Sequence, residues 1–355
     1  MPGPPSTVKR FLTLALACLA GYFLFWPVPF DPARWVPPPI EEPAATPTSF
    51  ATASPWGVLG LGPEDIARGH DGAWYTGLDD GRIVSLIQDG TRRVVGTTGG
   101  RPLGIRQLPD GALVVADAFR GLLRVEQDGA VRVLADSVNG HRLTYPDALD
   151  LAPDGTIWMS DASARHPHPS GAVLDFWDAR PTGRLLQYDP AIGRTTVALD
   201  SLDFANGVAV GPDGAYVLVN ETLSSRITRL WITGPRAGSR DVFIEHLPGL
   251  PDNLSYDGAG MFWVALYGER TQAINRVRAL APLLRRILYR VPERLRLRGV
   301  EKIGWVLGID TSGTIRYNLV DRSGATGPVT SVIADHESLY LGSLLDSTIR
   351  RVRKP

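Results

Sequence analysis

Short segments of alternating apolar and polar residues dominate the chain after residue 56, and one arrangement of them recurs six times. Each copy has a short apolar segment, a turn, and a second alternating segment, and in five copies the turn ends in Asp-Gly. Asp-Gly between two such segments is a strong signal for a β-hairpin. The apolar residues that align the copies are Ile66, Ile105, Leu149, Val208, Leu254 and Val332.

Repetition on this scale indicates an array of similar sheets. A β-sandwich would also contain hairpins, but not six copies of one signature. We therefore predict an all-β fold, a six-bladed β-propeller over residues 56–355.

The N-terminal part of the chain departs from this pattern. Residues 11–26 are uncharged and mostly apolar, which is nearly enough to cross ~30 Å of hydrocarbon. Lys9 and Arg10 precede them, and aromatic residues gather at the far end, as at a membrane interface. We expect a cytoplasmic tail at 1–10, a single transmembrane signal-anchor helix at 11–30 and a propeller on the periplasmic, extracytoplasmic side. A cleaved signal peptide is the alternative.

Two further segments interrupt the strand pattern. Residues 31–55 contain seven prolines and are predicted to form an extended linker. Residues 271–298 have apolar residues at helical spacing and predict a helical insertion between blades 5 and 6. Ten Lys or Arg and two Glu in 270–302 make it basic. Two interpretations of this insertion remain open. It packs over the propeller with its arginines exposed to water, or it rests on anionic lipid beside the anchor.

Composition narrows the function classes. The chain has 37 Lys and Arg against 37 Asp and Glu, which argues against a nucleic-acid partner. One cysteine excludes a disulfide framework and a cysteine-based zinc site. No glycine-rich phosphate loop and no Gly-x-Ser-x-Gly elbow are present, so nucleotide binding and serine hydrolysis are unsupported.

Polar residues occur two positions before five of the six aligned apolar residues. The six positions hold Glu64, Leu103, Asp147, Asn206, Asp252 and Thr330, and Asn253 adjoins the fifth. Innermost strands of a propeller line its central channel, so equivalent positions face one another there. Buried carboxylates repel unless a cation lies between them. Oxygen ligands without His or Cys predict one central Ca²⁺, although another divalent ion would also fit.

Five other residues are weaker candidates. His166 and His168 are predicted in the loop after blade 3, and a solvated, proline-stiffened loop without a catalytic role is the alternative. Asp117 and Asp161 are predicted to line the substrate channel, and the alternative is that they cap turns. Arg180 is predicted to lie at the channel rim, and the alternative is that it forms a structural ion pair.

Several motifs resemble the strictosidine synthase-like family, which belongs with gluconolactonases and paraoxonases among calcium-dependent six-bladed propellers. They are Gly62-Pro-Glu-Asp, Arg101-Pro-Leu-Gly-Ile-Arg, Ala179-Arg-Pro-Thr-Gly-Arg, Phe204-Ala-Asn-Gly-Val and Leu247-Pro-Gly-Leu-Pro-Asp-Asn. The resemblance implies that the family's metal ligands correspond to Glu64, Asp147, Asn206 and Asp252, with Asn253 beside them. Asp147 replaces the usual Asn. Asp65 resembles part of a second calcium site, but Ala148 replaces its partner carboxylate, so a second ion is not expected there.

These observations predict a membrane-anchored, calcium-dependent hydrolase of esters or lactones, similar to arylesterases and lactonases. A bound Ca²⁺ with open positions would polarise a carbonyl group. The catalytic base would be Asp252 or one of the histidines His166 and His168. Two alternatives remain open: an amine–aldehyde condensing enzyme like strictosidine synthase, or a non-catalytic binding scaffold with a structural ion. The expected partners are a small ester or lactone and the membrane, and not a nucleic acid or nucleotide.

Overall fold

A computed structural model describes residues 7–41, 45–49, 53–87, 89–296 and 302–355 of the chain. Some predicted segments therefore fall partly outside the described residues. These are residues 1–6 of the cytoplasmic tail, 42–44 and 50–52 of the linker, and 297–298 of the helical insertion.

Six antiparallel sheets, which we call blades, are arranged around a common axis and form a six-bladed β-propeller, as predicted. Blade 1 comprises Ile66–Arg68, Trp74–Gly77, Arg82–Leu86 and Arg92–Thr97; blade 2, Pro102–Gln107, Leu113–Asp117, Gly121–Val125 and Val131–Ala135; and blade 3, Pro146–Leu151, Ile157–Asp161, Gly183–Asp189 and Arg194–Leu202. Blade 4 comprises Ala205–Val210, Tyr216–Glu221, Arg226–Trp231 and Arg240–Ile244; blade 5, Gly249–Tyr256, Met261–Glu269, Gly304–Asp310 and Ile315–Asp321; and blade 6, Ser331–Ala334, Ser338–Gly342, Thr348–Arg353 and the N-terminal Ser54–Val58. Two short strands, Ser137–Val138 and His141–Arg142, form a separate hairpin.

Blade 6 is built from both ends of the propeller. Ser54–Val58 pairs antiparallel with Thr348–Arg353, so the strand order closes the ring. Trp56 holds this strand in place, because its ring lies 5.5 Å from that of Trp74 in blade 1 and 5.0 Å from that of Tyr340 in blade 6. The sheets therefore begin earlier than residue 56, and Thr48–Ser49 also pairs, in parallel, with the outer strand of blade 5.

The hydrophobic core lies between neighbouring blades. One cluster contains Ile83 of blade 1 with Ile105 and Leu123 of blade 2, all fully buried. Burying such a side chain contributes about 1.5–3 kcal/mol. Because every blade packs on two neighbours, the apolar residues hold the ring together while the axis is left to polar residues.

Five α-helices occur in the described part of the chain: α1 (Thr7–Phe25), α2 (Gly171–Asp178), α3 (Gln272–Arg278), α4 (Pro282–Tyr289) and α5 (Glu293–Arg296). Single 3₁₀ turns lie at Pro212–Gly214, Thr222–Ser224 and Gly234–Arg236. Helix α1 has no buried residue and is long and apolar enough to cross a membrane. It begins and ends about five residues earlier than the predicted 11–30 segment.

Helices α3 to α5 form the predicted insertion, but its position differs from the prediction. The insertion lies within blade 5 and not between blades 5 and 6. The strand that follows it, Gly304–Asp310, pairs with the strand that precedes it, Met261–Glu269, so the strands on both sides belong to one sheet.

The linker lies against this insertion. Phe30 is buried between the rings of Trp177 and Tyr289. Three buried arginines of the insertion donate to main-chain carbonyls: Arg270 to Pro38 and Pro39, Arg285 to Ala33 and Trp177, and Arg290 to Phe23 and Trp26. The last carbonyls of a helix lack partners within it, so Arg290 caps α1. The segment predicted as an extended spacer is thus fixed to the propeller over residues 30–39.

The C-terminus is fixed by one buried carboxylate in blade 5. Asp257 accepts hydrogen bonds from the backbone of Ala259 (2.8 Å) and Met261 (3.0 Å) and from the Lys354 ammonium (3.0 Å). Burial alone would raise the pKa of Asp257, but these donors outweigh it and the pKa is lowered. The charged form therefore stabilises the fold.

We predict that Asp257→Asn lowers stability at pH 7 by about 1.5–3 kcal/mol, because a hydrogen-bonded charge is lost. A depressed folded-state pKa contributes stability above the unfolded pKa of about 3.9, and this stability disappears as the pH falls through the folded value. The difference between wild type and variant in thermal unfolding should therefore shrink below pH 4. Asp128→Asn, at an exposed turn, is the control. An undiminished difference at pH 3 would contradict the prediction.

Candidate metal centre

The first strands of blades 2 to 5 share an irregularity. The register between the first and second strand shifts at Pro102/Ile105, Pro146/Leu149, Ala205/Val208 and Pro251/Leu254. A β-bulge bends its strand and re-aims side chains, and bulges are common beside functional sites. The residues predicted to face the central channel, which we call the ring positions, all lie within these shifts in the four blades. They are Leu103, Asp147, Asn206 and Asp252.

The predicted metal ligands lie in one buried group. Glu64, Asp147, Asn206, Asp252 and Asn253 are each at most 6% exposed. The amide of Asn253 donates to Glu64 Oε1 at 2.6 Å, which joins blade 5 to blade 1 across 189 positions of the chain. The Asn206 side chain stabilises the charged form of Asp252, and the charges of Asp147 and Asp252 act on Glu64.

Two glycines allow the inner strands to approach one another at this level. A Cβ on Gly207 of blade 4 would lie 2.6 Å from Asp252 O and from Asn253 Cα in blade 5. A Cβ on Gly104 of blade 2 would lie 2.7 Å from Asp147 O in blade 3. Real Cβ atoms do not approach backbone this closely, so any other residue would push the ligand-bearing strands apart.

The electrostatics of the group favour a cation. Burial, and then repulsion by neighbouring carboxylates, raises the pKa of Glu64 and of Asp252 well above their usual values. Burial raises the pKa of Asp147 to about 7, and Arg101 counteracts this. With all three carboxylates ionised and Arg101 positive, the formal charge is −2 (three negative, one positive), which a divalent cation would neutralise.

Two oxygen atoms of the group have no hydrogen-bond partner. Glu64 Oε2 and Asn206 Oδ1 are both buried and unpaired. An unsatisfied buried acceptor costs about 1–3 kcal/mol. Hard oxygen donors of this kind are the ligands that Ca²⁺ prefers, so the residues present fit a divalent ion of that class.

An apolar cluster includes Leu103, the one apolar residue among the six ring positions. It consists of Leu103, Ala118, Tyr145, Ala162 and Phe204. Within it, the hydroxyl of Tyr145 lies 2.8 Å from Nδ1 of His168. Burial, assisted by Arg101, lowers the pKa of His168 to about 4, so its imidazole is neutral at pH 7. The ring is therefore bordered by buried apolar side chains and one neutral histidine.

The remaining candidates have structural partners. His166 Nε2 lies 2.9 Å from Asp178 Oδ2, in a buried pair. Asp161 forms an ion pair with Arg184 and accepts from the amides of Thr144 and Tyr145. These contacts occupy the groups that were predicted to act as a base or to line the channel.

The other two channel candidates also make local contacts. Asp117 Oδ1 accepts the backbone amides of Arg101, Phe119 and Arg120, as a turn-capping residue does. Arg180 binds Asp31 of the linker at 2.8 Å. Arg180 therefore holds the linker, which its position in the sequence did not indicate.

Sequence reasoning missed Arg101 and Tyr145 as parts of the site. Both lie four residues before an aligned apolar residue, Ile105 and Leu149, so the repeat itself contained a signal. Arg101 is 1% exposed, and Nε and Nη1 of its guanidinium lack hydrogen-bond partners. Asp65, by contrast, forms an ion pair with Arg106 at 2.7 Å.

The candidate site and helix α1 lie on one face of the propeller. Antiparallel pairing puts the start of a first strand beside the end of the second: Pro146 pairs with Asp161, and Gly249 with Glu269. Helix α2 follows Asp161 and the insertion follows Glu269. Since Arg290 of the insertion caps α1, this helix is held at the face where the ring residues lie.

Comparisons with solved structures define the class of fold. A gluconolactonase from Xanthomonas campestris superposes with a TM-score of 0.63 at 19% identity, over 92% of this chain and 97% of that one. Regucalcin, a calcium-binding protein from Agrobacterium tumefaciens, gives a TM-score of 0.59 at 16% identity, over 87% and 95%. At such identities the similarity establishes a shared six-bladed propeller fold.

Sequence relatives define the family. The strictosidine synthase family model matches residues 147–235, and the strictosidine synthase-like N-terminal model matches 57–86. Protein strictosidine synthase-like 4 of Arabidopsis thaliana is 33% identical over 98% of this chain and 96% of its own length. The adipocyte plasma membrane-associated protein of Mus musculus is 32% identical over 82% and 75%. The chain belongs to the strictosidine synthase-like family, as its motifs predicted.

We predict that Gly207→Ala abolishes most of the stabilisation by calcium, because the new methyl group displaces Asp252 and Asn253. In thermal unfolding, the wild type should gain about 2.7 kcal/mol at a hundredfold excess of Ca²⁺ over its Kd. Gly308→Ala is the matched control, since its Cβ would lie 2.8 Å from the Tyr317 ring in an outer part of blade 5. It should lower stability but keep the calcium increment. An unchanged increment in Gly207→Ala would count against the site.

Proposed function

We propose that this protein is a membrane-anchored, calcium-dependent hydrolase of esters or lactones. Glu64, Asp147, Asn206, Asp252 and Asn253 would hold the ion. The observation that carries the proposal is the pair of unpartnered oxygens, on Glu64 and Asn206, in a buried group of carboxylates. Two solved structures of similar fold, described as a gluconolactonase and as a calcium-binding protein, also support a calcium-dependent hydrolase.

A bound Ca²⁺ would polarise the substrate carbonyl and stabilise negative charge on its oxygen. The protein's own residues would supply the base and the pocket. Asp252 is the first candidate for the base, because burial raises its pKa and makes the carboxylate a stronger proton acceptor. His168 is the second, because it is neutral at pH 7, whereas His166 is held by Asp178. The apolar cluster around Leu103 would exclude water and accept an apolar acyl or lactone group.

The condensing reaction has less support. It requires a carboxylate that exchanges a proton near neutral pH, and Asp335 is the nearest counterpart by sequence pattern. Asp335 instead accepts the amides of Glu337 and Ser338 and the hydroxyl of Tyr340. Although burial opposes it, these bonds lower the pKa of Asp335. It is a turn residue and remains charged.

Hydrolysis of phenyl acetate and of lactones tests the proposal. Glu64→Gln and Asn206→Ala should each lower kcat/KM by about 100-fold or more, because ion-mediated stabilisation of the transition state is lost. Asp335→Asn, which leaves the ring intact, is the control and should retain activity. A chelator should abolish turnover while circular dichroism shows a persisting fold. Wild-type rates in Glu64→Gln would contradict the proposal, and simultaneous loss of fold and turnover would support a scaffold with a structural ion.

We also propose that the N-terminus is cytoplasmic and that the propeller lies on the periplasmic, extracytoplasmic side. Lys9 and Arg10 at the start of α1 support this orientation by the positive-inside rule. In α4, Leu283 and Leu284 are exposed beside Arg286, and α4 packs against α1, as expected of a segment that rests on anionic lipid.

Protease protection in sealed inner-membrane vesicles checks this orientation. With the cytoplasmic side outward, the propeller should be protected and should become cleavable when detergent is added. Lys9→Glu with Arg10→Glu should reduce the protected fraction, and Arg132→Glu, on the propeller surface, should not. Cleavage of the wild-type propeller in intact vesicles would reverse the assignment.

A further inference from the structure

A second cluster of potential metal ligands lies outside the ring. His166, in the loop after the second strand of blade 3, lies beside Asp175 and Asp178, which are three residues apart on α2. His166 Nε2 is 2.9 Å from Asp178 Oδ2 and 3.8 Å from Asp175 Oδ1. One ligand atom from each residue lies within 4.8 Å of the other two, and the three residues are 7%, 1% and 0% exposed.

Asp175 is the unsatisfied member of this cluster. Neither of its carboxylate oxygens has a hydrogen-bond partner, although both are buried. Burial raises the pKa of Asp175 to about 7, and Asp178 and Asp203 add to the rise. The Ser163 hydroxyl and Arg278 are close enough to oppose it, but neither has the geometry of a hydrogen bond to Asp175. An unpaired buried carboxylate costs several kcal/mol unless it is protonated or binds a cation.

The nearby positive groups are already bound to other carboxylates. Arg278 forms two hydrogen bonds with Asp203, at 2.6 and 2.9 Å. Arg165 lies 3.1 Å from Asp178 Oδ2. Neither makes a hydrogen bond to Asp175, so an imidazole and two carboxylates converge while one carboxylate lacks a counter-charge.

We propose that His166, Asp175 and Asp178 bind a second divalent ion, of the class that includes Zn²⁺ and Mn²⁺. An imidazole nitrogen together with carboxylate oxygens suits these ions, whereas Ca²⁺ takes oxygen ligands only. The three protein ligands come from two adjacent elements, the loop and α2, which the ion would fasten together.

The position of the cluster indicates what such an ion would stabilise. Asp178 also holds the linker, since its carbonyl accepts from Ala33 at 2.8 Å and its Oδ1 accepts from Asp31. Fixing Asp178 would therefore fix the segment between α1 and the propeller. The ion would be structural, and its presence does not depend on hydrolysis at the ring.

Metal content of the full-length chain in detergent tests this proposal. The protein is purified without chelators from cells grown with added Zn²⁺, and the metal is measured by elemental analysis. We expect one Zn²⁺ per chain in the wild type and in Glu64→Gln, which alters only the ring. Asp175→Asn and His166→Gln should each lower the bound zinc at least tenfold. His246→Gln is the matched control, because His246 also pairs with a carboxylate, Glu41 at 3.0 Å, but lies outside the cluster.

Cobalt provides a readout that does not require a variant. Wild-type protein from cobalt-supplemented cells should show visible d–d absorption bands of Co²⁺ bound by nitrogen and oxygen. Absence of these bands together with absence of zinc would overturn the proposal and identify a protonated Asp175. Wild-type zinc content in a folded Asp175→Asn variant would overturn it as well.

Discussion

The constraint on which this structure depends is the burial of like charges on the propeller axis. Glu64, Asp147 and Asp252 repel one another in a buried site, and Arg101 offsets one of the three charges. Neighbouring features serve to hold these groups together. Bulges turn the ring positions out of regular pairing, Gly207 lets two strands approach, and hydrophobic clusters between blades supply the stabilisation that offsets the repulsion. The polar axis is therefore maintained by an apolar periphery.

Most of the fold could be predicted because each blade carries its own hairpin signal. Asp-Gly turns and alternating residues are local properties, and a propeller repeats them. Pairings between distant segments were not predictable in this way. Nothing within Ser54–Val58 indicates that it completes blade 6, and nothing before Gly304 indicates that blade 5 resumes after three helices. Packing of the linker also escaped prediction, because seven prolines are equally compatible with an extended spacer and with a segment fixed by arginine side chains.

The ring positions were predictable from the repeat, since equivalent positions in a propeller face the axis. Residues outside the repeat were harder to place. His166 was predicted in the loop after blade 3 and Arg180 at the channel rim, but both lie between the second and third strands of blade 3. The direction in which this loop turns is decided by contacts far along the chain, such as the one between Arg180 and Asp31. Asp175 drew no attention in the sequence, where it is one acidic residue on a short helix. What distinguishes Asp175 is that its carboxylate is buried without a hydrogen-bond partner. This burial arises only when α2, the insertion and the linker pack together.

Closure of the ring by its two ends also has a consequence during protein synthesis. Ser54 emerges from the ribosome 297 residues before its partner Arg351. At about 5–20 residues per second, this delay is on the order of 15–60 s. During that interval the early blades have an open edge, and Glu64 waits for Asn253, 189 residues later. The axial group of a newly made chain is therefore incomplete until the first strand of its fifth blade, Gly249–Tyr256, has been made.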